Sequence, residues 1–315
     1  MRAKNKYRIR NWAQYNHSLI KRGSITIWFS DDAITNWSAQ PKGIRGRPPV
    51  YSDKAIMTAL MIKAVFHLSL RSLEGFLESL CLLMGLSLPI PSYTQICRRA
   101  ANLGQTLKRL TRKHITDIVI DSTGLKVYGE GEWKVRKHGV SKRRTWKKVH
   151  LAVCPDTNEI LFSLMTDNST ADSCVYEQFL NNAPTSVARS YGDGAYDVES
   201  CYRASFQHGS KLIAPPRRNA VYQVAAPPHM EIRNEAYLTI LGLGGDEDAR
   251  KSWKKLKRYH RRSLAETAMF RLKQIFGDGL SSREPCRQKA EIRAKSQALN
   301  IMTRLGMPKG EWITF

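Results

Sequence analysis

The sequence predicts an α/β domain built on a mixed five-stranded sheet with helices, preceded by an all-α region. Three observations predict it. Residues 52 to 110 carry helix caps and helical apolar spacing. From about Thr116 the pattern changes to short, apolar, β-branched runs in the order strand, strand, strand, helix, strand, helix, strand. The 315 residues also hold 51 Lys and Arg against 27 Asp and Glu, a net charge of +24. Such an excess asks for a polyanionic partner, most commonly nucleic acid.

A chain of this length allows one large or two medium domains with a substantial core. In the first, residues 1–112, Asn11 is expected to cap a helix running to Gly23, and the following SITIWFS to form a short strand. The tetrapeptide Arg45-Gly46-Arg47-Pro48 is similar to the core of the AT-hook, whose arginines enter a narrow A·T-rich minor groove. The other reading is a basic turn before a helix, and both put Arg45 and Arg47 on phosphates. Ser52 caps a helix of about 53 to 68, with Ile56, Leu60, Val65 and Leu68 among its apolar positions. A second helix spans about Ser69 to Met84 and stops at Gly85, and Pro89 and Pro91 keep the connector extended. Ser92 and Gln95 form a capping box for a third helix, expected to reach about Leu110 and to carry Arg98 and Arg99. Helices, connector and basic third element fit a helix-turn-helix variant at about 52–110. An ordinary helical bundle with a basic exterior is the alternative.

The second domain is expected at 113–310. Asp117 to Asp121 reads as a buried strand that Asp121 closes. A hairpin-like basic stretch, Gly129 to Lys148, carries Arg143 and Arg144. Strands follow at Val149 to Val153 and Ile160 to Met165, a helix at 172 to 182, and a strand from Ala188 that ends at Asp193. Asp197 can cap a helix to about His208, and Lys211 to Ala214 is the last strand. This order matches the ribonuclease-H-like fold. Residues 217 to 250 read as an irregular insertion before the next helix, and a final helix covers about 287 to 305.

Tyr259 to Lys273 is predicted as one helix, without Pro or Gly and rich in good helix formers. Tyr259, Arg262, Glu266 and Lys273 fall within an arc of roughly 60° at about 100° per residue. Leu264, Ala268, Leu272, Ile275 and Phe276 lie on the opposite side, where a core-facing stripe belongs. In a ribonuclease-H-like sheet the ends of the Asp121 and Asp193 strands are neighbours. Three carboxylates meeting there, with Glu266, repel one another unless a divalent cation compensates. Hard oxygen ligands suit Mg²⁺ or Mn²⁺. Two such ions can activate a water or a 3′-hydroxyl and stabilise the leaving oxygen of an in-line displacement.

The spacing Y-x2-R-x3-E-x6-K, with the stretches DIVIDSTGLKVY, RTWKKVHLAV and SYGDGAYD, resembles the DDE transposases of bacterial insertion sequences over most of the chain. The resemblance implies a metal-binding catalytic triad of Asp121, Asp193 and Glu266. It implies that Tyr259, Arg262 and Lys273 hold DNA near the scissile phosphate. It further implies strand cleavage and strand transfer with double-stranded DNA, both element ends and target, in a homo-oligomer. Asp117 and Asp197 are the nearest rivals of the two aspartates, and His150 reads as structural. The rival function is a catalytically silent DNA-binding repressor derived from a transposase. A nuclease that only hydrolyses is a third reading.

Other classes find no support. The six cysteines are scattered without zinc spacing and are expected to be reduced. The most apolar run, Leu80 to Ile90, is about half the length that spans a bilayer. MRAKNKYRIR lacks an apolar signal core, so a cytoplasmic, nucleoid-associated protein is expected.

Overall fold

The computed structural model describes residues 5–40, 48–103, 107, 115–127, 146–183 and 186–314. The Arg45 and Arg47 tetrapeptide and the basic stretch with Arg143 and Arg144 lie outside the described residues. The chain divides into two compact units, Met1–Gly104 with Gln297–Phe315, and Gln105–Ser296.

The first unit is not all-α. Strand β1 (Asn5–Ile9) pairs antiparallel with β8 (Gly310–Thr314) from the far end of the chain. Helix α1 (Trp12–Lys21) follows Asn11, whose side chain makes no cap. It reaches the C-terminal segment instead, donating to the Met307 carbonyl at 3.1 Å and accepting from the Lys309 amide at 2.7 Å. The expected SITIWFS strand is the one-turn helix α2 (Ile25–Trp28). Burial of Trp28 and Phe29, with the Trp28 indole donating to the Arg22 carbonyl at 2.7 Å, overrides the β-branched preference. A short helix α3 (Asp31–Thr35) comes next.

Helices α4 (Asp53–Val65), α5 (Leu70–Leu83) and α6 (Tyr93–Ala100) start where their caps predict. The Ser52 hydroxyl accepts from the Ala55 amide at 3.0 Å, Ser69 from Ser72 at 3.1 Å, and Ser92 with Gln95 closes a full capping box. Helix α6 ends at Ala100, and most of the remaining stretch to the expected Leu110 lies outside the described residues. Among the described residues no single helix is long and apolar enough to cross a membrane.

The second unit holds a six-stranded sheet in the order β4-β3-β2-β5-β6, with β7 also on β2. The strands are β2 (Asp117–Val127), β3 (Trp146–Val153), β4 (Ile160–Asp167), β5 (Arg189–Tyr191), β6 (Lys211–Ile213) and β7 (Gly279–Leu280). The first three are antiparallel, and β5 and β6 run parallel to β2. This is the ribonuclease-H-like arrangement, enlarged from the expected five strands by the two-residue β7.

Alternation along β2 sorts the two faces. Ile118 and Ile120 join Ala152, Phe162 and Leu164 in the core under α7 (Tyr176–Asn181) and α8 (Glu199–Gln207). Asp117, Val119 and Asp121 point the other way. The insertion is ordered as the helices α9 (Glu231–Gly242) and α10 (Glu247–Leu256). Its acidic run has a local cause, since the Asp246 carboxylate accepts from the Ala249 amide at 2.7 Å and Glu247 and Asp248 occupy the first turn of α10. Helix α11 (Ser263–Phe276) packs on β2 and β3 through a stripe of Ala265, Ala268, Met269, Leu272 and Phe276. The long helix α12 (Pro285–Leu305) follows β7.

Candidate active site

Asp121 is the fifth of eleven residues in β2, so it does not close its strand as expected. What ends there is the pairing on one side. The rungs between β2 and β5 stop at Val119 and Tyr191, while β2 stays paired with β3 as far as Lys126 and meets β7 only at Lys126 and Val127. Asp121 therefore borders a gap in the sheet. Asp193 stands two residues past the last β5 rung, as Asp121 does on β2, so parallel register carries both to the same edge.

Asp193 caps a 3-10 turn, Gly194–Tyr196, accepting from the Ala195 amide at 2.8 Å. Gly192 lets this loop close, because a Cβ there would stand 2.6 Å from the Tyr196 ring. Burial, reinforced by the Asp172, Asp121 and Asp193 carboxylates, pushes the Tyr196 phenol up and keeps it neutral. Asp197 does not cap α8, which begins at Glu199 without a side-chain cap. Its buried carboxylate accepts from the Tyr202 hydroxyl at 3.0 Å, the Arg217 amide at 2.9 Å and the Arg233 guanidinium at 3.1 Å.

The expected helix from Tyr259 to Lys273 is divided. Arg258 takes a left-handed conformation at φ 54°, Tyr259–Arg262 forms a 3-10 turn, and α11 starts only at Ser263. The turn aims consecutive arginines at different carboxylates on one face of β2. Arg261 binds Asp117 and Asp156, and Asp117 is held further by Arg189 at 2.8 and 3.0 Å. Arg262 donates to Asp121 Oδ2 at 2.7 Å and through its second nitrogen to Glu266 Oε1. Asp117, 1 % exposed, is thus a structural ion-pair centre.

Glu266 is presented from the first turn of α11 and is exposed. Burial raises Asp121 above the usual carboxylate range. The Ser122 amide and Arg262 oppose that rise, and Asp193 and Glu266 add to it. Tyr259 belongs to the same group. Burial pushes its phenol up to about 12, against Arg262 and with the three carboxylates. Lys273 lies two turns further along α11, and its charge bears on Asp278 beside β7. Phe270, an apolar residue near the polar arc, is exposed one turn beyond Glu266.

Asp121, Asp193 and Glu266 supply the hard oxygens that suit Mg²⁺ or Mn²⁺. As the side chains stand, no three of the described His, Cys, Asp and Glu residues are gathered tightly enough to hold an ion. Arg262 takes one oxygen each of Asp121 and Glu266.

A second polar cluster lies on the opposite face of the sheet. Ser122 donates to Asp172 at 3.0 Å, Lys148 to Asp172 at 3.2 Å, and the buried His150 pairs with Thr166 at 2.8 Å. Burial lowers the His150 pKa. The histidine lies within β3 and packs inside the sheet. Of the other predicted DNA contacts, Arg98 is exposed, whereas Arg99 binds the Tyr51 carbonyl at 2.9 Å and Asp53 at 2.7 Å. Sequence reasoning missed Arg261. Its adjacency to Arg262 is a signal only once the 3-10 turn is known.

A family model described as a transposase DDE domain matches residues 112–301, and another with the same description matches residues 20–130. Similar solved structures include the Mos1 transposase paired-end complex with the left transposon end. It is 8% identical, with a TM-score of 0.22 over 80% of this chain and 91% of that one. The Mos1 mariner paired-end complex with Mn is 10% identical, with a TM-score of 0.22 over 84% of this chain and 92% of that one. Superpositions this loose add nothing to the fold assignment, which rests on strand order and the family match.

Proposed function

The chain belongs to the transposase DDE-domain family, and from that premise we propose that it binds the terminal inverted repeats of an insertion sequence and catalyses DNA strand cleavage and strand transfer. The carrying observation is that Asp121 and Asp193 reach the same sheet edge two residues past a shared rung, with Glu266 tied to Asp121 through Arg262. In this reading Asp121, Asp193 and Glu266 hold two Mg²⁺ or Mn²⁺ ions. When bound, the ions supply Lewis acidity for phosphodiester displacement.

The rest is work for the chain's own groups. Arg262 and Tyr259 stand beside the carboxylates and hold the scissile strand, and Lys273 engages the backbone two turns away. Arg98 on α6, with Arg45, Arg47, Arg143 and Arg144, supplies the phosphate contacts that a net charge of +24 favours. Arg99 is committed to Asp53 and contributes only through the helix it anchors. Joining two element ends calls for at least two copies of the chain, acting in the cytoplasm on the nucleoid.

The test is cleavage of flanked inverted-repeat DNA by wild type and Glu266→Gln, in Mg²⁺ and in EDTA. The expected result is cleavage by wild type in Mg²⁺ alone, with both proteins binding the DNA. Cleavage by Glu266→Gln at the wild-type rate, or by wild type in EDTA, overturns the proposal.

A further inference from the structure

Arg262 is placed where a bridging cation belongs. Its guanidinium spans Asp121 Oδ2 on β2 and Glu266 Oε1 on α11. A planar fork donating to two carboxylates compensates their repulsion much as a divalent ion does, without needing water as further ligand. The Arg262 side chain is 21% exposed, so the clamp is shielded but reachable from solvent.

The turn that carries Arg262 does not depend on this clamp. The neighbouring Arg261 is fixed to Asp117 and Asp156. The Ser263 hydroxyl closes on the His260 carbonyl at 2.9 Å. The Arg262 side chain can therefore leave the carboxylates while the 3-10 turn stays on the sheet. A DNA phosphate is the natural acceptor for a released guanidinium, since it takes the same bidentate geometry as a carboxylate.

We propose that Arg262 is an internal competitor for the divalent-ion site, and that its transfer from Asp121 and Glu266 to a DNA phosphate opens the site to metal. The device rests on the triad reading above. It makes metal loading conditional on DNA, so an enzyme without DNA holds its carboxylates neutralised and unable to hydrolyse bystander phosphodiesters. Arg262 is a positioning residue in this sense, because it acts through the carboxylates it releases.

The experiment is Mn²⁺ binding to the full chain, read by electron paramagnetic resonance of free Mn²⁺, with and without a short duplex of arbitrary sequence at low ionic strength. Without DNA, Arg262→Ala should bind Mn²⁺ about tenfold more tightly than wild type, the size expected when charge-assisted bonds no longer have to be broken. Arg262→Lys keeps the charge without the fork and should fall between. It also serves if the alanine variant does not fold. With DNA bound, the gap between variant and wild type should close.

A gap that persists unchanged on DNA means a fixed electrostatic effect and overturns the proposal. So does equal affinity of variant and wild type without DNA. Asp121→Asn and Glu266→Gln separate the two readings. If, with DNA bound, they bind Mn²⁺ as wild type does, the triad assignment itself fails. If they lose Mn²⁺ and Arg262 substitution changes nothing, only the competitor role fails.

Discussion

Asp117 and Asp121 sit four residues apart on one face of β2, and the sequence separated them only by the family signature and by a strand end that the structure does not place at Asp121. Arg261 separates them by burying Asp117 in an ion-pair cluster, while Arg262 leaves Asp121 at the open gap. The two aspartates should therefore respond oppositely to the same substitution. The folded state holds the Asp121 pKa above its unfolded value, because burial disfavours the charge. Its ionised form then costs stability, a cost absent at low pH that grows as pH rises past the unfolded pKa. In EDTA at neutral pH, Asp121→Asn should melt at or above the wild-type temperature. Asp117→Asn leaves Arg189 and Arg261 without their shared charge and should cost about 3 kcal/mol. Thermal melts of both variants check this, and a large loss for Asp121→Asn with none for Asp117→Asn would reverse the assignment.

Element starts were legible where a side chain satisfies orphan amides within a few residues. Ser52, Ser69 and Ser92 marked α4, α5 and α6 because capping is local chemistry. Element ends and short elements were not. The α2 turn depends on burying Trp28, and the break before α11 depends on the left-handed Arg258, which no residue type announces. The candidate site was legible to the extent that Asp121 and Asp193 come at the end of short apolar runs and Glu266 lies in the signature. Its arginine clamp was not, because it needs the turn geometry.

Helix α12 shows another tertiary arrangement hidden from sequence. The Glu291 carboxylate accepts from the Ser281 and Ser282 amides at 2.9 to 3.1 Å and pairs with Lys295, which also reaches the Gly279 carbonyl on β7. Burial alone would raise Glu291, but Lys295 and the two amides outweigh it and hold the pKa at about 2. A depressed carboxylate contributes stability above its unfolded pKa and loses it as pH falls toward the folded value. Between about pH 4.5 and 2, wild type should lose on the order of 3 kcal/mol that Glu291→Gln never has. Denaturant midpoints across that range should converge for the two proteins, and parallel curves would refute the assignment.

At the scale of the whole chain, charge composition pointed to a polyanionic partner, but nothing in it indicated that the two ends of the sequence meet. The first compact unit needs residues some 300 positions apart. Strand β8 pairs with β1 along its whole length, from Asn5 with Thr314 to Ile9 with Gly310. The closure is specific. A Cβ at Gly310 would run into the Tyr7 ring, and one at Gly306 would stand 2.9 Å from the Ser18 side chain. Gly306 also has φ 156°, which other residues rarely adopt. Arg10 pairs with Glu311, its amide donates to the Lys309 carbonyl at 2.8 Å, and Asn11 bonds both Met307 and Lys309. A two-stranded ribbon is marginal alone, so removing one strand releases the other. Truncation after Leu305 should expose Arg8, Arg10 and Lys21 to trypsin, with cleavage there at least about tenfold faster than in the full chain, since local opening sets the rate. A fragment ending at residue 112 lacks the same strand and should show the same sites. The α4 to α6 helices keep their caps in both and should stay protected. Unchanged digestion at Arg8 and Arg10 after truncation would mean that β1 is held by something other than β8.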